Sequence, residues 1–345
     1  MEHLIIPEDY FSPLSLYDTQ VAIKTVKDFF QSVLAKQLNL LRVSSPLCVD
    51  PASGMNDNLN GIERPVSFGI KEQNERQAEI VQSLAKWKRY ALKEYGFAHG
   101  EGLYTDMNAI RRDEITDNIH SIYVDQWDWE KVIRREDRNL SFLKKTVRRI
   151  YEAIKVTENK LFIEFPQVTP SLPEDIFFIH AEELLRMYPD LTPKERENEI
   201  VRQHRAVFLI GIGGELSDGT VHDGRAADYD DWSTPNEDGF NGLNGDILLW
   251  NDVLQSSFEV SSMGIRVDCE AMRRQLAIRG QEDKAELYFH KRLLAGELPY
   301  TIGGGVGQSR LCMFLLKKAH IGEIQSSIWS EEDRRKCAEA GIVLA

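Results

Sequence analysis

The glycine-rich segment "TIGGGVGQSR" (residues 301–310) has no Lys-Ser or Lys-Thr pair, which excludes a P-loop. Cysteine is scarce: Cys48, Cys269, Cys312 and Cys337 are scattered without paired spacing, giving neither a zinc site nor a disulfide framework. No apolar run reaches membrane-spanning length. The opening "MEHLIIPEDYF" lacks a basic region followed by a long apolar stretch, so no signal peptide is expected. Positive charge is in deficit. A net charge of −13 over 345 residues speaks against a nucleic-acid partner. The basic patch "KKTVRRI" (144–150) falls in a helical pattern and reads as a solvated face. These absences point to a reduced, cytoplasmic protein with no membrane or nucleic-acid partner. There is no internal repeat and no low-complexity linker. We read residues 1–345 as one domain with a well-buried core, and residues 1–17 as an N-terminal extension to which nothing is assigned.

Apolar spacing predicts a helix over 18–38 with Asp18 as N-cap. A broken strand follows, and residues 52–61, "ASGMNDNLNG", read as a mobile polar loop. "PVSFGI" reads as a strand, and "AEIVQSLAKWKRYALKEYG" as a short strand with a helix. "HSIYVDQWDWE" (120–130) alternates as a strand, with Val124, Gln126, Asp128 and Glu130 on one face and Tyr123, Asp125, Trp127 and Trp129 on the other. Residues 140–164 form an amphipathic helix, and "AVFLIGIG" (206–213) reads as a central, wholly apolar strand. "GDILLW" and "SSFEVSSMGIRVD" read as a strand pair, 270–296 as helical, and 301 onward as a glycine loop before an apolar helix. Strands joined by loops as well as helices predict an α/β (α+β) fold: one largely antiparallel sheet flanked by helices.

Four constellations stand out. "VFLIGIGGEL" has no third glycine in place and reads as a buried strand ending in a turn, not a dinucleotide site. Gly303, Gly304, Gly305 and Gly307 allow close backbone approach to a ligand. The helix after them is hydrophobic all round, so Arg310 lies in the first turn of a buried helix and needs an anion. Either a phosphate or an internal carboxylate would serve. "AIRRDEIT" (109–116) feeds the alternating strand, whose Gln126, Asp128 and Glu130 face makes a site candidate. Glu259 and Arg266, seven apart, fall on opposite faces of a regular strand. They converge only if "SSMG" holds a bulge or turn, which Gly264 permits.

Together and in this order, these pieces resemble the class II aminoacyl-tRNA synthetases, especially those for aspartate and asparagine. "GVGQSR" is similar to the signature whose arginine grips ATP. "IRRDE…HSIYVDQWDWE" resembles the arginine loop and returning strand, "SLAKWK" the aspartate segment, and "FEVSSMGIR" the Glu-to-Arg segment. The match is closer still to the ammonia-dependent asparagine synthetases (aspartate–ammonia ligases). "QSLAKWKR", "GEGLYT", "IYVDQWDWE", "IGIGGELSDG", "DYDDWSTP", "LNGDIL", "SSMGIRVD" and "TIGGGVGQSRL" all look like that family, from about Val21 to near Ile321.

The resemblance implies a class II synthetase-like fold, a homodimer, and ATP with Mg2+ as cofactors. It also implies a two-step reaction. The side-chain carboxylate of L-aspartate attacks the α-phosphate of ATP, giving β-aspartyl-adenylate and pyrophosphate. Ammonia then displaces AMP to give asparagine. By resemblance Arg111 takes the α-phosphate, although Arg112 stands where proline is expected and keeps that choice open. Gln126 lies beside the same phosphate or the adenine. Gly305 and Gly307 pack near the adenosine, and Arg310 holds the bent triphosphate. Asp246 and Glu259 hold magnesium. Ser83 and Asp128 receive the α-ammonium of aspartate, and Lys88 and Arg266 its side-chain carboxylate. Asp57 closes over the substrate and touches its ammonium or the incoming ammonia. Asp230 and Asp231 either bind or deprotonate ammonium or are structural. Three rivals fit less well. About twenty residues before the first helix are too few for an oligonucleotide-binding barrel. A non-catalytic sensor would show degenerate site positions. A glutamine-dependent synthetase needs a cysteine where this chain has Glu2.

Overall fold

The computed structural model describes residues 4–57, 59 and 63–345. In chain order the strands are β1 (Leu40–Arg42), β2 (Cys48–Val49), β3 (Ser67–Ile70), β4 (Arg76–Ile80), β5 (Gly102–Ile110), β6 (Tyr123–Val132), β7 (Phe177–His180), β8 (Ala206–Ile210), β9 (Asn244–Asn251), β10 (Ser256–Ile265) and β11 (Thr301–Gly307). Eight of them form one sheet in the order β1-β5-β6-β11-β10-β9-β8-β7. Its inner pairs are antiparallel, and only the edge pairs β1·β5 and β7·β8 run parallel. β2, β4 and β3 make a small separate antiparallel sheet. The largely antiparallel α/β architecture expected from the sequence is the one observed.

Helix α1 (Leu16–Leu38) begins earlier than the apolar spacing suggested. Its N-cap is Ser15, not Asp18: the Ser15 hydroxyl oxygen accepts from the Asp18 amide at 3.1 Å, and the hydroxyl donates to the Asp18 carboxylate at 2.7 Å. Helix α2 (Ala85–Glu94) follows the small sheet. Helix α3 (Leu140–Glu164) has the expected bounds, because Asn139 caps it and its apolar stripe runs unbroken to Leu161. α1, α3 and the later α8 (Gln308–Leu315) pack on the sheet face that carries Trp127 and Trp129. The Trp127 ring sits 4.7 Å from that of Phe30. Each large apolar side chain buried here contributes roughly 2–3 kcal/mol.

The remaining helices are α4 (Ala181–Met187), α5 (Pro193–His204), α6 (Cys269–Arg279), α7 (Tyr288–Leu294) and α9 (Glu331–Glu339). β8 is not central but next to the edge. It is wholly apolar because both its faces are covered: Phe208 and Ile210 join the main core, while Val207 and Leu209 meet Leu184 and Ile200 of α4 and α5. The helical run expected over 270–296 is broken. Gly280 ends α6 with φ 61°, and a 3-10 turn over Glu282–Glu286 intervenes before α7. The glycine segment is a strand rather than a loop, pairing with β6 and β10. Within the loop read as mobile, Asn58, Asn60 and Gly61 lie outside the described residues, while Pro51–Ser53 is a 3-10 turn and Asp57 is buried. Among the described residues no helix is long and apolar enough to cross a membrane.

Candidate functional site

The second face of the sheet is only partly covered. α2, α6 and α7 bury Leu103, Met107, Val267 and Phe289 over one part of it. Beside them opens a cavity of about 360 Å³. Its floor is built by alternation. Gln126 and Asp128 of β6 lean over β11, where each needs room above a backbone. A Cβ at Gly305 would collide with Gln126 and lie 2.6 Å from Asp128 Oδ1, and one at Gly303 would collide with Glu130. The glycines therefore keep the strand surface bare, so that acidic and amide side chains can lie flat on it.

Lys88 reaches this floor from α2. Its Nζ donates to the Gly304 carbonyl at 2.9 Å and lies 3.2 Å from Asp128 Oδ1. Burial pulls its ammonium below the ordinary lysine range, with Asp128 opposing. Lys86 and Arg89 are also buried, so "KWKR" is an inward row of cations rather than a surface stretch. Ser83 lines the cavity one turn earlier, where its hydroxyl oxygen accepts from the Ala85 amide at 3.1 Å.

Arg266 does not pair with its neighbour Asp268, which instead caps α6. It grips Glu130 through Nε and Nη2 (2.8 Å for the closest pair) and Asp230 through Nη1, with its guanidinium over the Tyr229 ring. Glu259 and Arg266 do line the same cavity. The bulge that allows this lies at Glu259–Ser261, not in "SSMG". Gly264 stays in register opposite Asn244 and Gly303, where a Cβ would press on Asp230.

Two further arginines point into the cavity from its mouth. Arg111 lines it from the turn after β5, and its Nε is buried without a hydrogen-bond partner. Arg112 is exposed and does not reach it. Arg310, in the first turn of α8, makes only long contacts among the described residues: 3.4 Å to the Ile119 carbonyl, and 3.2 and 3.5 Å to the Glu259 carbonyl and carboxylate. Gly307 lines the same wall.

Asp57 is buried at the cavity, and Gln82 donates to its main-chain carbonyl at 2.8 Å. Burial raises its carboxyl above the usual range, with Lys86 opposing. Asp230 lines the cavity, but Asp231 does not. Asp231 is turned away and saturated by Arg138 Nη2 (2.6 Å), the Thr234 hydroxyl (2.7 Å) and the Ser233 and Thr234 amides. Of the two roles left open for it, at an ammonium site or structural, these bonds support the structural one.

Asp246 sits behind the cavity wall on β9, held by Arg225 Nη2 at 2.5 Å. Burial, together with Glu259 and Asp223, pushes its carboxyl up to about 8 against the pull of Arg225. Four acids crowd one guanidinium there, Asp246, Glu259, Asp223 and Asp230, the last 3.5 Å from Arg225 Nε, an excess of negative charge suited to a divalent cation with oxygen ligands. Among the described residues no group of three or more acids, histidines or cysteines already forms a metal cage, so phosphate oxygens and water would have to complete the shell. Sequence reasoning put Glu130 on the candidate face without a role of its own and gave none to Asp223, Arg225 or Tyr229. The signal for these three was the stretch "HDGRAADY", which runs into the "DYDDWSTP" motif already noted.

Comparison with known proteins places this cavity in context. The family described as aspartate-ammonia ligase matches residues 17–341. Proteins named aspartate–ammonia ligase from Parabacteroides distasonis and Bacteroides fragilis are each 58% identical over 344 residues, covering 100% of both chains. One from Clostridium tetani is 58% identical over 343 residues, covering 99% of this chain and 98% of its own. In fold, the chain is similar to asparaginyl-tRNA synthetase from Pyrococcus horikoshii complexed with asparaginyl-adenylate: TM-score 0.66, 16% identity, 89% of this chain and 68% of that one. The asparaginyl-tRNA synthetase of Entamoeba histolytica gives 0.63 at 13% identity, with 90% and 66% covered. On full-length identity of this order, and with a class II synthetase fold beneath it, the chain belongs to the aspartate–ammonia ligase family.

Proposed function

We propose that this protein joins L-aspartate to ammonia at the expense of ATP, through a β-aspartyl-adenylate, releasing AMP and pyrophosphate. One observation carries the reading. A single cavity has two loosely held guanidiniums, Arg111 and Arg310, at its mouth, and a buried cation–acid floor of Lys88, Asp128 and Arg266 at its base. That polarity suits a polyphosphate at one end and a small zwitterion with a second carboxylate at the other.

In this reading Arg111 meets the charge that develops on the α-phosphate. Its buried, unpartnered Nε is supplied with an acceptor only when an anion arrives. Arg310 holds the rest of the triphosphate, while Gln126, Gly305 and Gly307 shape the wall beside the nucleotide. Asp128 and Ser83 receive the α-ammonium of aspartate. Lys88 and Arg266 fix its side-chain carboxylate, so that the distal oxygen and not the α-carboxylate faces phosphorus. Asp57 and Asp230 are the carboxylates left to receive ammonium, which must lose a proton before its nitrogen can attack. Asp57 is the better base, since burial raises the proton affinity of its carboxylate, whereas Asp230 is already engaged by Arg266 Nη1. Asp246 and Glu259 would hold magnesium, which supplies charge neutralisation on the phosphates.

We further propose a cytoplasmic homodimer. All four cysteines are free thiols. Phe11, Leu16, Tyr17 and Val21 leave an exposed apolar patch at the start of α1, 81%, 63%, 79% and 40% exposed. The acidic net charge supports a protein without a nucleic-acid partner. The test is a product assay with aspartate, ATP, magnesium and ammonium. Asparagine with AMP and pyrophosphate is expected, glutamine should not replace ammonium, and ADP with phosphate would refute α-phosphate attack.

A further inference from the structure

Residues 4–14 look peripheral, yet their main chain is tied to the nucleotide end of the cavity through one side chain. Asn118, 3% exposed, sits in the turn between Arg111 and β6. Its Oδ1 accepts from the Ile5 amide at 2.6 Å, and its Nδ2 donates to the Ile5 carbonyl and the Ala319 carbonyl, both at 2.8 Å. Its own carbonyl accepts from the Ile321 amide at 2.8 Å. One amide group therefore joins three segments: the extension, the turn and the chain after α8.

That turn forms the wall under Arg310. The next residue, Ile119, offers the carbonyl that Arg310 Nε meets at 3.4 Å, and Ile119, His120 and Ile321 all line the cavity. The turn is otherwise fastened within itself and, at its β6 end, by the Ser121 and Ser327 hydroxyls, 2.8 Å apart. Asp117 Oδ1 accepts from the Ile119 and His120 amides, both at 2.7 Å. The extension is anchored in its turn. Leu4 packs with Ala319, Cys337 and Ile342. The Tyr10 hydroxyl lies 3.0 Å from both Glu323 oxygens, and Lys318 Nζ donates to Ser12.

We propose that the N-terminal extension is a strap that positions the nucleotide site: through Ile5 and Asn118 it fixes the 117–121 turn against which Arg310 is set. Asn118 is a positioning residue, acting through Ile119 on Arg310. The aspartate end has no share in this, because Lys88, Asp128 and Arg266 stand on the sheet floor with no bond, among the described residues, to the strap. The strap should tune ATP affinity and leave aspartate recognition alone. This rests on the reading above in which Arg310 binds the triphosphate.

The test uses full-length protein with Asn118→Ala, Ile5→Pro, both together, and Arg310→Ala as reference. Calorimetry gives the Kd for ATP with magnesium, steady-state assay the KM for aspartate, and thermal melting the fold. Losing one such hydrogen-bonded link should weaken ATP about fivefold in each single variant, with KM for aspartate within about twofold of the parent. Because Asn118→Ala cuts the same link as Ile5→Pro and the bond to Ala319 besides, the double variant should be no weaker than Asn118→Ala by more than about twofold. Ile5→Pro removes the amide hydrogen from the strap side and keeps the question answerable if Asn118→Ala does not fold. Unchanged ATP affinity in Ile5→Pro, or equal losses for ATP and aspartate, would overturn the inference while Arg310→Ala still weakens ATP. If Arg310→Ala binds ATP as the parent does, the nucleotide reading itself fails and the inference falls with it.

Discussion

Arg266 and Glu130 form a buried ion pair across β11, with Nη2 2.8 Å from Oε2, in space that exists because Gly303 between them has no side chain. Asp230 completes the guanidinium's partners, so Arg266 is oriented before any ligand arrives. The pair accounts for an arginine in a buried site without calling on the neighbouring Asp268. Removing one partner leaves an uncompensated charge, which costs on the order of 3–5 kcal/mol. Gly303→Ala should therefore lower the melting temperature and abolish turnover of aspartate. A stable, active Gly303→Ala protein would show that the floor is not packed as described.

Lys88→Met and Arg266→Met should each lower kcat/KM for aspartate by roughly two to three and a half decades, the equivalent of that same ion-pair cost. The Kd for ATP should hardly move, since among the described residues neither side chain shares a hydrogen-bond or ion-pair partner with Arg111 or Arg310. Equal losses in both quantities, or none, would remove these residues from aspartate recognition.

Arg111→Ala and Arg310→Ala should separate. Arg111 acts on charge that grows in the transition state, so its loss should depress kcat about a hundredfold. Arg310→Ala should chiefly raise the Kd for ATP. Arg112 is exposed and outside the cavity, and Arg112→Ala should leave both values within about twofold. The opposite pattern would move the phosphate role to Arg112.

His320 is buried against Trp329, and its ring nitrogen accepts from the Gly322 amide at 3.0 Å. Burial pushes its pKa down to about 4. The unfolded chain takes up a proton near pH 6.5 and the folded protein resists until about pH 4. Stability should therefore fall through that window as pH decreases, by about 3 kcal/mol at most from this group. His320→Asn keeps an acceptor for the cap and does not titrate. Denaturant melts from pH 7 to pH 4 should show a shallower loss for the variant, and equal slopes would exclude His320 as the cause.

Much of the site could be read from residues alone because short-range periodicity fixed it. Alternation in "YVDQWDWE" sorted Gln126, Asp128 and Glu130 from Trp127 and Trp129, and the core confirms that division. The parity conflict between Glu259 and Arg266 demanded a bulge. Its place at Val260 was not legible, because a bulge is set by pairing with β9 as well as by the nearest glycine. The glycine segment read as a loop because bare strand glycines and loop glycines look alike until the neighbouring Gln126 and Glu130 are seen lying over them. Asp231 looked equivalent to Asp230, since adjacent acids in "DYDDW" differ only in which way the chain turns them. Arg138, ninety-three residues away in sequence, decides that. Nothing in local spacing marked Asn118, whose partners come from both ends of the chain.

The most direct test of the mechanism follows one oxygen. If the side-chain carboxylate of aspartate attacks the α-phosphate and ammonia then cleaves the carbon–oxygen bond of the adenylate, one carboxylate oxygen leaves with AMP. Aspartate labelled with oxygen-18 in its side chain, turned over with ATP, magnesium and ammonium, should give AMP carrying one labelled oxygen, with unlabelled pyrophosphate. Unlabelled AMP, or label recovered in orthophosphate, would contradict the account.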